Sequence, residues 1–236
     1  GYTDVNVGGT VTVLQEAAVA KVKRLVFASS SSVYGDTDQM PFREGQALVP
    51  VSPYAMSKLS GEHYCQLFAR SFGLETVSLR YFNVFGPRQS LENDYAVVVP
   101  KFITCLLRKE SPPVHGDGRQ SRDFTFIENV ASATIWATVA PGISGEVFNI
   151  ACGESHSVLH LLEEINRLLG LAIPPTFTPP RPGDVLKTVA DISKAAQRMQ
   201  WRPTVGFADG LARTVAWFRD NGAATIGSTT VGRVKL

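Results

Sequence analysis

The run Leu25-Val26-Phe27-Ala28 is short, wholly apolar and ends at once in four serines, Ser29 to Ser32. Bounded in this way it reads as a strand buried on both faces, which is the signature of a parallel sheet. Its flanks agree. Val7, Val11, Leu14, Ala17 and Ala18 recur at helical spacing, which predicts a helix from about Val5 to Ala20, broken by Lys21-Val22-Lys23-Arg24. After a polar loop through Pro41 and Pro50, a long helix is expected from about Pro53 to Phe72, with Ser52 as N-cap and Pro53 in the first turn. Gly73 ends it, and Glu75 to Arg80 reads as the next strand. Helix–strand–helix–strand alternation argues for a parallel sheet covered on both faces. Right-handed crossovers bring the ends of both strands, near Ser29 and Tyr81, to one edge of that sheet. Ligands of open parallel sheets sit in the crevice at this carboxyl edge.

Past Gly86-Pro87 the texture changes. Helices are expected from about Tyr95 to Arg108, up to about Ala140, from Ser157 to Leu169, from about Ile192 to Met199 and from Phe207 to Asp220. Short strands are expected after Pro112-Pro113, at Asp123 to Ile127 and at Glu146 to Ala151, with a proline-rich connection from Pro174 to Pro182. Residues 1–90 then form the sheet with its candidate chemistry, 91–221 a smaller lobe interleaved with it, and 222–236 a flexible tail.

A chain of 236 residues that is 44% hydrophobic can bury a sizeable core. Its formal net charge of +2 supplies no basic face for nucleic acid. No apolar run reaches the roughly 20 residues of a membrane span, and Gly1-Tyr2-Thr3-Asp4 opens no secretory signal, so a cytoplasmic chain is expected. Cys65, Cys105 and Cys152 are odd in number and far apart, which suits buried thiols better than disulfides. His156-x-x-x-His160 has metal-ligand spacing but no converging third ligand, so no metal is expected. Trp136, Trp201 and Trp217 lie among apolar helical residues and read as core.

Chemistry is suggested by Tyr54-x-x-x-Lys58. Residues four apart share a helical face, so a phenol and an ammonium can meet over one site. A free phenol titrates near pH 10, too high for a base at neutral pH, and a neighbouring ammonium lowers it. A surface pair would show the same spacing. Ser30 adds weight, because it ends a buried strand whose tip faces the same crevice.

Phe27-Ala28-Ser29-Ser30-Ser31-Ser32-Val33-Tyr34-Gly35, Ser52-Pro53-Tyr54-Ala55-Met56-Ser57-Lys58 and Leu79-Arg80-Tyr81-Phe82-Asn83-Val84-Phe85-Gly86-Pro87-Arg88 together resemble the extended short-chain dehydrogenase/reductase family. Within it they are similar to NAD-dependent UDP-hexose 4-epimerases. The likeness continues through Gly116-Asp117-Gly118, Ser121-Arg122-Asp123-Phe124, Phe148-Asn149-Ile150, Arg181-Pro182-Gly183-Asp184 and Ala190-Asp191-Ile192-Ser193-Lys194. It implies an α/β fold, a Rossmann-like parallel sheet with a smaller C-terminal α/β substrate lobe. It also implies that the N-terminal strands and their glycine-rich turn, roughly 70–95 residues, are missing from the pattern, so that the sheet is incomplete and NAD binding weak.

The same resemblance implies the roles. Tyr54 is the base, Lys58 lowers its pKa and holds the nicotinamide ribose, and Ser30 hydrogen-bonds the sugar 4-hydroxyl. Asn6, Ser29 and Phe82 join Ser30, Tyr54 and Lys58 against NAD. Asn83, Arg122, Arg181 and Asp184 contact a UDP-sugar, the arginines at its diphosphate. Ser32, Gln89 and Val97 line the hexose pocket; the first two resemble the UDP-N-acetylglucosamine 4-epimerase branch, and Val97 departs from its usual alanine. Thr188 stands at the family's gate, where a small residue leaves room for a 2-acetamido group. No acid lies between Ser30 and Tyr34, unlike the related dehydratases and decarboxylases, which favours simple epimerisation. A full-length homodimer through the helices at Val5 and Pro53 is implied as well. A non-catalytic nucleotide-sugar-binding remnant and a nucleotide-sugar reductase are the alternatives.

Overall fold

The computed structural model describes residues 1–91, 98–180 and 185–225. A π-helical turn, Thr3–Gly8, leads into helix α1 (Gly9–Val19), strand β1 (Arg24–Ser30), a 3-10 turn at Ser31–Tyr34, helix α2 (Pro53–Ser71) and strand β2 (Glu75–Tyr81). Then follow β3 (Val84–Phe85), α3 (Val98–Leu107), β4 (Pro113–His115), β5 (Ser121–Arg122), β6 (Thr125–Phe126), α4 (Ile127–Val139) and β7 (Glu146–Ile150). The rest is β8 (His156–Ser157), α5 (Val158–Leu169), β9 (Thr176–Thr178), a π-helical turn at Ala195–Met199 and α6 (Phe207–Thr225).

Strands β1, β2 and β7 form a parallel sheet in that order, with Ser29 opposite Arg80 and Arg80 opposite Asn149. Strand alternation then gives the two faces different work. Val77 and Leu79 turn toward α4 and pack with Val130, Ala133, Ala137, Phe148 and Ile150. Thr76, Ser78 and Arg80 turn the other way, toward α2, and are buried although polar. Thr76 donates to the Cys65 carbonyl of α2 at 2.7 Å. Gly61 lets α2 lie this close to the sheet, since a Cβ there would stand 2.3 Å from the Phe27 ring.

A second apolar cluster joins α3, α5 and α6 around Phe85, Phe102, Phe124, Phe126 and Phe207. The two regions interleave: α4, β7 and the Ala195–Met199 turn come late in the chain yet pack on the first sheet. Among the described residues no helix is long and apolar enough to cross a membrane.

Several expectations need correction. The strand expected at Asp123 to Ile127 is present as β6, which pairs parallel to β3 and runs into α4; β5, just before it, is a separate strand antiparallel to β8, and between the two the Asp123 carboxylate accepts N–H groups from Cys152 and Gly153. The proline-rich connection contains β9, which runs parallel to β4; its three residues lie between the prolines, so the ladder keeps its donors. The helix expected from about Ile192 to Met199 is helical from 193 to 199, with π-helical pairing over Ala195–Met199, whereas α6 runs on to Thr225 instead of stopping at Asp220. The tail at 222–236 therefore starts inside a helix; 226–236 lie outside the described residues. Trp201 is buried, but Trp136 is 47% exposed on the outer face of α4 beside Ile135 and Val139. Helical spacing alone does not say which face a helix will cover.

Candidate active site

A cavity of about 1070 Å³ opens at the carboxyl edge of the sheet, and its wall brings together Asn6, Ser29, Ser30, Ser32, Tyr54, Lys58, Asn83, Gln89 and Thr188. Tyr54 is placed by the start of α2. Ser52 caps that helix by accepting the Ala55 N–H at 3.1 Å, and Pro53 fills the first turn, as the sequence predicts. Tyr54 thus belongs to the first turn of a 19-residue helix, whose start carries a partial positive charge.

Ser30, the last residue of β1, stands close enough to the Tyr54 phenol to oppose the rise in its pKa. Its oxygen already accepts from Ser32, at 3.2 Å from the backbone N–H and 3.0 Å from the hydroxyl. Its single proton is therefore left to be donated. The turn that makes this possible needs Gly35 (φ 71°), because a Cβ there would lie 1.7 Å from the Val49 carbonyl oxygen.

Lys58 reaches back across β1 and donates to the Ala28 carbonyl at 2.9 Å, with its nitrogen 5.7 Å from the centroid of the Tyr54 ring. Burial pushes the ammonium below its ordinary value. The phenol is raised above its ordinary value, chiefly by burial; the Ser30 hydrogen bond opposes this and the Tyr2 phenol adds to it. The net shift is thus upward, where the sequence led to the expectation of a lowered phenol. In this geometry the ammonium sits over the ring and is bonded to a backbone carbonyl, and burial wins.

On the cofactor side, Asn6 donates from its amide to the Ser57 hydroxyl at 2.9 Å, and Ser57 donates to the Tyr54 carbonyl, tying the Thr3–Gly8 turn to the helix start. Ser29 lines the cavity, but its hydroxyl turns away and donates to Glu62. Phe82 does not face the cavity: its side chain is 0% exposed and packs with Val33, Tyr34 and Phe42, while its N–H donates to the Ile150 carbonyl.

On the other wall, Asn83 adopts a positive φ of 26°, which asparagine tolerates better than most residues. Its amide donates to the Thr188 hydroxyl and to the Asp123 carbonyl, both at 3.2 Å. Gln89 donates to the Val84 carbonyl at 3.0 Å. Arg122 stands on β5 opposite His156 and donates to the Ser121 carbonyl. Val97, Arg181 and Asp184 lie outside the described residues. His156 and His160 stack with each other, and His156 lies flat on Phe207, with centroids 4.0 Å apart.

Sequence reasoning missed two groups. Tyr2 meets Tyr54 edge-on at 5.9 Å. Behind the site, Arg80 binds both oxygens of Glu62 at 2.9 and 2.7 Å and donates to the Tyr34 hydroxyl at 2.9 Å. Tyr34 in turn donates to Asn149 at 2.6 Å. A signal was present: an arginine within a strand expected to be buried, and a glutamate four residues beyond Lys58.

The model of the family described as "NAD dependent epimerase/dehydratase family" matches residues 1–151. The UDP-glucose 4-epimerase of Mycolicibacterium smegmatis is 36% identical over 92% of this chain and 69% of its own length. A solved UDP-N-acetylglucosamine 4-epimerase from Methanobrevibacter ruminantium, in complex with UDP-N-acetylmuramic acid, is 38% identical with a TM-score of 0.88, covering 93% of this chain and 70% of its own. A Thermus thermophilus UDP-glucose 4-epimerase in complex with NAD is 34% identical with a TM-score of 0.84, covering 92% and 70%.

Proposed function

The chain belongs to the NAD dependent epimerase/dehydratase family, and we propose that it carries the catalytic centre of an NAD-dependent UDP-sugar 4-epimerase. The observation behind this reading is the meeting of Tyr54, Ser30 and Lys58 on one cavity wall. The residues present fit the nicotinamide–ribose end of NAD. Lys58 spends one N–H on Ala28 and has others for ribose hydroxyls, and Asn6 presents an amide on the same wall. The chain spans about 70% of the length of the relatives it matches.

When bound, NAD supplies the acceptor and then the donor of the sugar's C4 hydride. The chain's own groups handle the proton. Tyr54 takes it from the sugar 4-hydroxyl and returns it, acting as general base and then acid. Ser30, already accepting from Ser32, donates its proton toward the sugar oxygen or the phenolate. Lys58 and the start of α2 stabilise the phenolate once it forms. Asn83, Ser32, Gln89 and Thr188 form the sugar side. By resemblance alone, Arg122, Arg181, Asp184 and Val97 complete it. The small Thr188 supports UDP-N-acetylglucosamine and UDP-N-acetylgalactosamine as the substrate pair, ahead of UDP-glucose and UDP-galactose. A homodimer through α1 and α2 is supported by the exposed apolar residues Val13, Tyr64 and Leu67 on those helices.

The test joins this chain to the glycine-rich front of a relative, supplies NAD and UDP-N-acetylglucosamine, and follows product. The C4 epimer should form with no net NADH and be lost in Tyr54→Phe. Net NADH release, or full turnover by Tyr54→Phe, would refute the assignment.

A further inference from the structure

Tyr54, Lys58 and Glu62 are spaced by four along α2 and share one helical face. A lysine and a glutamate in that relation are near enough to pair, with Cβ atoms about 5–6 Å apart. Here they do not. Lys58 donates to the Ala28 carbonyl and lines the cavity, while Glu62, 2% exposed, takes the Ser29 hydroxyl and both arms of Arg80. Arg80 is equally buried, at 2%. The ion pair closes at 2.7 Å, and the guanidinium also lies 4.8 Å over the Tyr34 ring.

Two buried charges cost several kcal/mol of desolvation each, which a well-made pair only offsets. Apolar side chains of similar volume would do as well for stability. What the pair does that an apolar pair could not is settle which cation owns Glu62.

We propose that Arg80 is a positioning residue of the site: by binding both oxygens of Glu62 it withdraws from Lys58 the carboxylate one helical turn away, so that the ammonium stays unpaired and faces the cavity. This rests on Lys58 being the cation that serves NAD and Tyr54. Among the described residues that line the cavity, the other charged or titratable groups on the side of Lys58 and Tyr54 are the Tyr2 phenol, beside Tyr54, and Arg88, and neither is a carboxylate.

The experiment titrates Lys58 directly in the folded chain, so it needs neither cofactor nor sugar and its outcome is separate from whether epimerisation occurs. Acetylation of the peptide bearing Lys58 is followed by mass spectrometry across pH. In the parent chain Lys58 should titrate below an ordinary lysine, in keeping with its burial. In Arg80→Met, Glu62 is released to Lys58, whose titration should move up by about one pKa unit or more. The double variant Glu62→Gln/Arg80→Met should return it to the parent value. A role confined to packing would not reverse in this way. Should Arg80→Met not fold, Arg80→Gln, which can keep the bond to Tyr34 without the charge, replaces it in the same comparison. A Lys58 titration unmoved by loss of the Arg80 charge, or one that stays high in the double variant, overturns the proposal.

Discussion

Asp123 is 0% exposed, and its carboxylate accepts N–H groups from Cys152 at 2.9 Å, Gly153 at 3.0 Å and Ala190 at 3.2 Å. It staples three segments beneath Asn83 and Thr188. Burial pushes its pKa from 3.8 up to about 6, against the pull of those three hydrogen bonds. Such a rise corresponds to about 3 kcal/mol between the two protonation states. Between pH 3.8 and about 6 the folded chain holds this proton while the unfolded chain has lost it. Stability through this group therefore falls as pH rises across that window and recovers on acidification. Asp123→Asn removes the titration. It keeps one acceptor for Cys152 and sets an amide against the remaining N–H groups, costing about 1–3 kcal/mol at every pH. At pH 7.5 that cost and the relief of the buried charge should nearly cancel. By pH 4.5 the parent regains about 2 kcal/mol that the variant does not. Urea unfolding followed by fluorescence of the buried Trp201 gives both free energies. A gap between parent and variant that stays constant from pH 7.5 to 4.5 would show that the backbone N–H groups hold Asp123 ionised against burial, and the reasoning would fail.

Two further outcomes follow from the geometry. Gly61→Ala should gain about 1 kcal/mol of helix propensity. It should nonetheless destabilise by about 1–3 kcal/mol overall, because the new Cβ meets Phe27 at 2.3 Å; a raised Tm would contradict the close approach of α2 to β1. In the fusion to a relative's glycine-rich front used to test the proposed function, Thr188→Tyr should lower kcat/KM for the acetamido sugar about tenfold more than for UDP-glucose. Thr188→Val, which removes the hydroxyl bonded by Asn83 without adding bulk, should hit both sugars alike; equal losses in the tyrosine variant would remove the gate.

What the sequence disclosed is what local forces decide. Ser52 and Pro53 announce the start of α2 from within five residues of Tyr54, and the apolar run before Ser29 announces β1. Their parallel pairing follows from the crossover rule and from chain order. The losses are of another kind. Whether Trp136 is covered depends on what α4 packs against, and helical period alone cannot say. The burial of Asp123 depends on N–H groups contributed by Cys152 and Ala190, which are remote in sequence. Phe82 carries the family pattern, yet its ring belongs to the core. The altered pKa of Tyr54 was misjudged because an ammonium four residues away suggests direct contact, while burial of the phenol is a tertiary fact.

The consecutive serines show how a period of two divides labour at a strand end. Ser29 and Ser30 are adjacent on β1, so their side chains leave opposite faces. Ser29 goes to Glu62 and, in register with Arg80 and Asn149, joins a buried polar rank that ties β1, β2, β7 and α2 together. Ser30 goes to Tyr54. The rank behind the sheet thus fixes the position of the residue in front of it, because one peptide unit links the two hydroxyls. A slip of β1 by one residue would send Ala28 or Ser30 to Glu62 and remove the donor from the phenol. The polar rank resists such a slip better than an apolar one could. Hydrogen bonds to Glu62 and Arg80 have one acceptable register, whereas alanine and leucine side chains can exchange places at modest cost.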